Sequence, residues 1–554
     1  MGQARFWRFL RKTLQMQAKR SRFFAPEWAE CVEAACSWAF GRAFVPHRAT
    51  PSARGNSRES PFMRVGRTAF SLVLAFQLAA CGGGGGASST PATSGGGGTP
   101  APTPTPTPTT AACSVRAQQD FADQVLNDWY LFPDLLAPAN PANFNSVQSF
   151  LDARVAPARA QGRDQGFTFA TSIAQETALI NSGSSAGFGI RLSFDNAARR
   201  VFVVEAYEGG NGLTAGLDRG SEITAIGTSS ANLQSVSSLM ASGGAQAVVD
   251  ALGPTTAGLA RVLRFVQPGG ATIERSITKT DFALDPISDR YGVTILNDGG
   301  RRVGYLNFRT FIVADAAQQL RAAYGQFAAQ GVTELIIDLR YNGGGLVSVA
   351  ETMGDLMGQG RTGQVFSRTV FRASRASENS TRFFRNEANA IAPTRIAFIT
   401  TEASASASEL VINAMLPYLG DNVALIGDDT SGKPVGQFGF DLAACDLRVR
   451  AVTFQTLNAN NQGDYFFGLG PFVPNTCRAG DDITRPFGDP REASTAVALD
   501  FLAGRSCTPF GNTASASDGA NAGQAARAGL NLPTRQMLQP AQPNRAQQDI
   551  PGLF

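Results

Sequence analysis

Between residues 281 and 505, short and nearly continuous apolar runs alternate with stretches whose apolar positions recur at helical spacing. Residues 302–308, 334–339, 395–400 and 423–426 read as strands, and 314–329, 346–357 and 406–419 read as helices. Strands with almost no polar positions, separated by amphipathic helices, are βαβ units. The rhythm predicts an α/β core with helices packed on its sheet. No composition figure narrows the fold as far.

Upstream the pattern changes. Residues 113–185 form a small, mainly helical module, with Phe121, Val125, Leu126 and Trp129 at helix spacing. Residues 186–280 are richer in short strands, at 189–194, 201–206, 222–226 and 260–266. Within them, Gly187-Phe188-Gly189-Ile190 is similar to the carboxylate-binding loop of a PDZ domain. Residues 214–223, Thr-Ala-Gly-Leu-Asp-Arg-Gly-Ser-Glu-Ile, resemble the helix-turn-strand segment of that fold. A Gly-x-Gly loop before an edge strand can aim backbone N–H groups at a peptide's terminal carboxylate while the peptide adds a strand.

Both ends lack a core-forming pattern. Met63-Arg64-Val65-Gly66-Arg67 precedes a short apolar run and Leu78-Ala79-Ala80-Cys81, which resembles a bacterial lipobox. The resemblance implies a lipoprotein signal over 63–80, with Cys81 lipidated, and makes 1–62 a gene-model extension before the true initiator Met63. The lone histidine, His47, then lies outside the mature protein. Residues 81–112 are a Gly/Ser and Pro/Thr spacer, and 506–554 read as a low-complexity tail in which only 530–538 has a pattern fit for docking. The expected location is the bacterial envelope, lipid-anchored to the outer membrane and facing the periplasm.

Charge divides the same way. Residues 1–80 carry a net +9, whereas the remainder carries −5 with no basic run, which argues against nucleic-acid partners. Four cysteines remain beyond Cys81: Cys113, Cys445, Cys477 and Cys507. In an exported chain they predict two disulfides, with three connectivities possible. The favoured pairing is Cys445–Cys477, closing a local loop, with Cys113–Cys507 joining the ends of the folded region.

Three loops at strand ends carry the candidate chemistry. The first, Asp338-Leu339-Arg340-Tyr341-Asn342-Gly343-Gly344-Gly345, has consecutive glycines whose N–H groups can face a small anion. The second, Ser404-Ala405-Ser406-Ala407-Ser408-Glu409, sets serines at a helix N-terminus beside free N–H groups. The third, 427–437, contains Lys433, one of only two lysines beyond residue 80. Its Gly427-x-x-x-x-Gly432-Lys433 spacing imitates a phosphate loop, but Pro434 replaces the Ser/Thr that would hold magnesium, and Asp428 and Asp429 would repel phosphate.

In this order, preceded by the PDZ-like segment, the loops resemble the carboxy-terminal processing (tail-specific) serine protease family over about residues 114–505. The resemblance implies an α/β catalytic core with an inserted or preceding β-rich PDZ domain and a small helical N-terminal module. It implies Ser406 as nucleophile, Lys433 as base and Gln437 as the residue orienting the lysine. Ala407 and Gly344 would supply the oxyanion hole through their N–H groups, and Gly187, Phe188, Gly189 and Ile190 would take the substrate's C-terminus. Departures are Gly343, where many members have proline, the Pro434-Val435-Gly436 segment, and a longer spacing from Ser406 to Lys433. A desolvated lysine with a lowered pKa can replace histidine as the base. Gln437, at an even spacing from Lys433, would face the same way on an extended segment. No metal or organic cofactor is implied. Partners would be proteins with exposed C-termini and, through the lipid, a membrane; the oligomeric state stays open.

Two alternatives come from other classes. One is a catalytically inactive PDZ scaffold that still binds C-termini. The other, a penicillin-recognising hydrolase, needs Ser-x-x-Lys on a helix, and the one match, Ser276 to Lys279, lies in a strand-like run.

Overall fold

The apolar runs are neighbouring strands of one six-stranded sheet in the computed structural model, which describes residues 113–510 and 535–554. Strand order is Val293–Asp298, Arg301–Asn307, Glu334–Asp338, Arg395–Thr400, Val423–Gly427, Asn475–Arg478. The first pair is antiparallel and every later pair is parallel. Alternation within each run explains why the runs are apolar throughout. Leu335, Ile337, Ile396 and Phe398 face the helices Ala316–Ala329, Val347–Leu356 and Ala407–Leu419. Ile336, Ala397 and Ile399 face the opposite helix, Ala493–Leu502. A sheet covered on both faces leaves no solvent side for polar residues.

Residues 184–283 enclose a separate apolar cluster. Strands Ile190–Asp195, Arg200–Ala206, Glu222–Gly227, Ala260–Val266 and Thr272–Thr278 pair in that order, beneath the helix Val236–Leu252. All four predicted strands lie within this set.

The N-terminal segment is mainly helical, as its spacing predicts, and it also contributes a strand to a second sheet. Helices Val115–Trp129 and Val147–Arg154 are present, but Phe169–Ser172 is a strand paired with Leu447–Leu457. Leu126, Tyr130, Phe150 and Leu151 are buried with Val435, Val449 and Val452 of a second sheet, so the segment shares its core with residues far downstream.

Two sequence expectations need correction. The disulfides are Cys113–Cys445 and Cys477–Cys507, with Cα–Cα distances of 5.3 and 5.4 Å, and not Cys445–Cys477 with Cys113–Cys507. Cys445 precedes the strand Leu447–Leu457 that packs on the first helix, which brings it to Cys113. Cys477 sits on the last strand of the central sheet beside the segment leaving Ala493–Leu502. Non-reducing digestion should yield these two cross-linked pairs; a Cys445–Cys477 peptide would contradict the fold here.

The tail is the second correction. Arg535–Met537 forms a strand against Ile190–Asp195, and Arg545–Asp549 forms a short helix. Leu538, Ile550, Leu553 and Phe554 are buried. The rest of the predicted tail, 511–534, lies outside the described residues, as do His47, the signal segment and Cys81.

Candidate active site

The three candidate loops leave the carboxyl ends of three adjacent strands, Glu334–Asp338, Arg395–Thr400 and Val423–Gly427. Open α/β sheets gather their sites at this edge. Adjacency in the sheet therefore does what 95 residues of separation along the chain, from Asp338 to Lys433, cannot.

The first loop is fixed from below. Arg340 is buried and pairs with Asp338 at 2.9 Å, Glu492 at 3.0 Å and Asp481 at 3.1 Å. Asp481 also binds Arg219 at 2.7 Å. Above this cluster the chain turns through left-handed conformations at Tyr341 (φ 65°), Gly344 (φ 107°) and Gly345 (φ 141°). A Cβ on Gly344 would lie 2.8 Å from the Ser406 Cβ and 2.9 Å from the Ala407 nitrogen, so only glycine allows this approach.

The second loop contains three serines, and their hydrogen bonds separate them. Ser404 Oγ donates to the Leu339 carbonyl at 2.8 Å, and Ser408 Oγ donates to the Asn342 carbonyl at 2.9 Å. Both are buried and hold the glycine loop. Ser406 is the partly exposed one, at φ 55° and ψ −110°, a backbone conformation that is costly for a residue with a Cβ. It sits at the N-terminus of Ala407–Leu419, where the first N–H groups have no partner within the helix.

Glu409 joins the second loop to the third. Fully buried, its Oε2 accepts the backbone N–H groups of Ser406 and Lys433, each at 2.8 Å, and its Oε1 accepts that of Gly432 at 2.7 Å. Burial raises its carboxyl to about 7, against the pull of these bonds and of Thr430. One side chain thus holds the backbones of the candidate nucleophile and base together. Sequence reasoning did not assign Glu409 this part, although Ser406-x-x-Glu409 is a capping-box pattern that flags it.

Lys433 Nζ lies 4.7 Å from the centre of the Phe167 ring. Burial lowers the ammonium to about 8, with Asp549 and Asp164 pulling upward and Arg545 downward. Gln437 Nε2 donates to the Phe167 carbonyl at 2.7 Å, which leaves its Oε1 for another donor. The parity argument for Gln437 does not hold as stated: Lys433 precedes the strand Val435–Leu442, and a bulge at Gly436/Gln437 breaks the alternation. Both residues nevertheless line one cleft of about 590 Å³, with Phe167 and Ala405.

The N–H groups of the glycine loop differ in partner. The Gly344 N–H donates to Asn342 Oδ1 at 3.0 Å, whereas that of Gly343 donates to the Asp549 carbonyl of the tail at 3.0 Å. Asp429 does not face a ligand: its Oδ1 accepts the N–H groups of Thr430 and Gly470, both at 2.7 Å. Among the described residues no group of three or more His, Cys, Asp or Glu could hold a metal ion. Nor is any described helix long and apolar enough to cross a membrane.

At the other predicted site, the Phe188 and Ile190 N–H groups donate to the Phe554 backbone oxygen at 3.0 and 3.2 Å.

Residues 302–470 match peptidase family S41. The chain is similar in fold to an S41 protease of Bacteroides fragilis NCTC 9343, at 24% identity and a TM-score of 0.53, covering 69% of this chain and 97% of that one. A photosystem II D1 C-terminal processing protease aligns at 19% identity and a TM-score of 0.41, covering 66% and 93%. No curated protein sequence matches the chain.

Proposed function

The chain carries a peptidase family S41 domain, and from that premise we propose that it is a serine endopeptidase using a Ser406–Lys433 dyad. The observation that carries the reading is the shared hold of Glu409 Oε2 on the Ser406 and Lys433 backbones, while Ser404 and Ser408 are committed elsewhere. A serine hydroxyl needs a neighbouring base to attack a peptide carbonyl. Neutral Lys433 takes the hydroxyl proton as the Ser406 Oγ–carbon bond forms, then returns it to the leaving amine as the peptide C–N bond breaks. Water completes the cycle by hydrolysing the acyl-serine. Gln437, anchored on Phe167, orients the lysine through its remaining oxygen. The N–H of Ala407 at the helix start is one oxyanion donor. That of Gly344 becomes the second when its bond to Asn342 opens.

Substrate choice is proposed to reside in the loop of Gly187 to Ile190, acting as a PDZ-type groove for protein C-termini. Its support is the pair of N–H groups of this loop on the Phe554 oxygen. Hydrogen bonds to a charged group are worth about 1.5–3 kcal/mol each, so amidating an unfolded substrate's C-terminus should slow its degradation by at least about tenfold. Equal rates for the free acid and the amide would remove C-terminal recognition from the account.

Lipid anchoring at Cys81, and with it a place in the bacterial envelope, belongs to the same proposal. Mass spectrometry of the native protein should find an acylated Cys81 at the N-terminus. A peptide spanning His47 would contradict it.

A further inference from the structure

The last twenty residues touch both proposed sites at once. Arg535–Met537 pairs antiparallel with Ile190–Asp195, and the Leu538 N–H continues the ladder to the Leu192 carbonyl at 2.9 Å. The chain then leaves the strand and comes back to it. The Leu192 N–H donates to the Gly552 carbonyl at 2.8 Å, and the Phe554 N–H donates to the Ile190 carbonyl at 2.9 Å. With the two N–H groups on the Phe554 oxygen, this is strand addition to the edge of Ile190–Asp195. The Phe554 side chain is 2% exposed and belongs to the apolar cluster of Phe188, Val236, Leu239 and Met240. A Cβ on Gly187 would lie 2.7 Å from the Phe554 carboxyl carbon, so the loop admits the carboxylate only because that residue is glycine.

Between the two anchor points, residues 539–551 run along the catalytic cleft, where Gln539, Pro543, Gln548 and Pro551 form part of its wall beside Lys433. The Asp549 carbonyl takes the Gly343 N–H of the glycine loop at 3.0 Å. Arg545 ties this stretch to the body by pairing with fully buried Glu176, which also binds Arg450 at 2.7 Å and Arg448 at 2.9 Å.

We propose that residues 535–554 are an internal inhibitor, filling the C-terminus groove and strapping the cleft, displaced by proteins that end in a free carboxylate on a bulky apolar residue. The inference rests on the reading of Ser406 as nucleophile and of Gly187 to Ile190 as the groove. A tethered ligand acts at an effective concentration of about millimolar. A substrate terminus must therefore outcompete it, which makes the enzyme selective for proteins whose C-termini match the groove well.

The test compares the full chain with its Phe554→Asp variant, which puts a charge into the apolar pocket and leaves the strap intact. A labelled peptide ending in Pro-Gly-Leu-Phe with a free carboxylate should bind the variant at least about tenfold more tightly, and an unfolded protein should be degraded faster. A synthetic 535–554 peptide added to the variant should restore inhibition, and its amide should not. Equal peptide binding and equal degradation by the two chains would overturn the inhibitor while leaving the groove standing. Should neither chain prefer the free acid to the amide, the groove reading falls and the inhibitor with it. A second measurement does not depend on the variant folding: saturating free-acid peptide should accelerate cleavage of a short substrate by the unaltered chain. An unchanged rate there also overturns the inference.

Discussion

Replacing Ser406 by alanine is expected to lower turnover by about six orders of magnitude, with the fold intact. The side chain packs in no core and its backbone bond to Glu409 survives the change. Lys433→Arg should fail as well, by about 10²- to 10⁴-fold, the usual contribution of a positioned base. Guanidinium stays protonated at any working pH and cannot accept the hydroxyl proton. The pH profile follows with a definite sign. Burial holds the lysine at about 8, below the ordinary value near 10.5. In the proposed dyad its neutral form is the base, so kcat/KM should rise with pH through about 8 and then level off. A profile that falls over that range would contradict a lysine base.

The largest structural effect is expected at Arg340. Its guanidinium is the common partner of Asp338, Glu492 and Asp481 beneath the glycine loop. Arg340→Met keeps much of the volume but leaves Asp338 and Glu492 buried without their cation. Removing one member of a buried ionic cluster typically costs about 3–5 kcal/mol, a large share of the roughly 5–15 kcal/mol by which domains are stable. Urea unfolding should show a loss of that size. A change below about 1 kcal/mol would mean that the cluster is not what holds the loop.

The catalytic core was legible because strands buried on both faces leave an unbroken apolar trace, as at 334–339 and 395–400. The three loops were legible for a related reason: glycines and small residues stand out between a strand and a helix. The hairpin of Val435–Leu442 with Leu447–Leu457 was not, since glycine at 436 and 439 and a bulge at Gly436/Gln437 interrupt its alternation. Disulfide partners 332 residues apart depend on tertiary packing that no local spacing records. The tail is held by a backbone ladder, a few apolar side chains and the Arg545–Glu176 pair, so its Ala/Gln/Asn composition conceals its docking. Glu409 was missed: the Ser406-x-x-Glu409 spacing carries a capping signal, but its hold on Lys433 exists only once the third loop folds over it.

The dyad is tested most directly by a small fluorophosphonate probe, which reacts fastest with a serine whose proton is being removed. Peptide mapping should place the adduct on Ser406, with none on Ser404 or Ser408. Labelling should disappear in Ser406→Ala and slow by at least about a hundredfold in Lys433→Met. An adduct on another residue, or undiminished labelling without the lysine, would contradict the Ser406–Lys433 assignment.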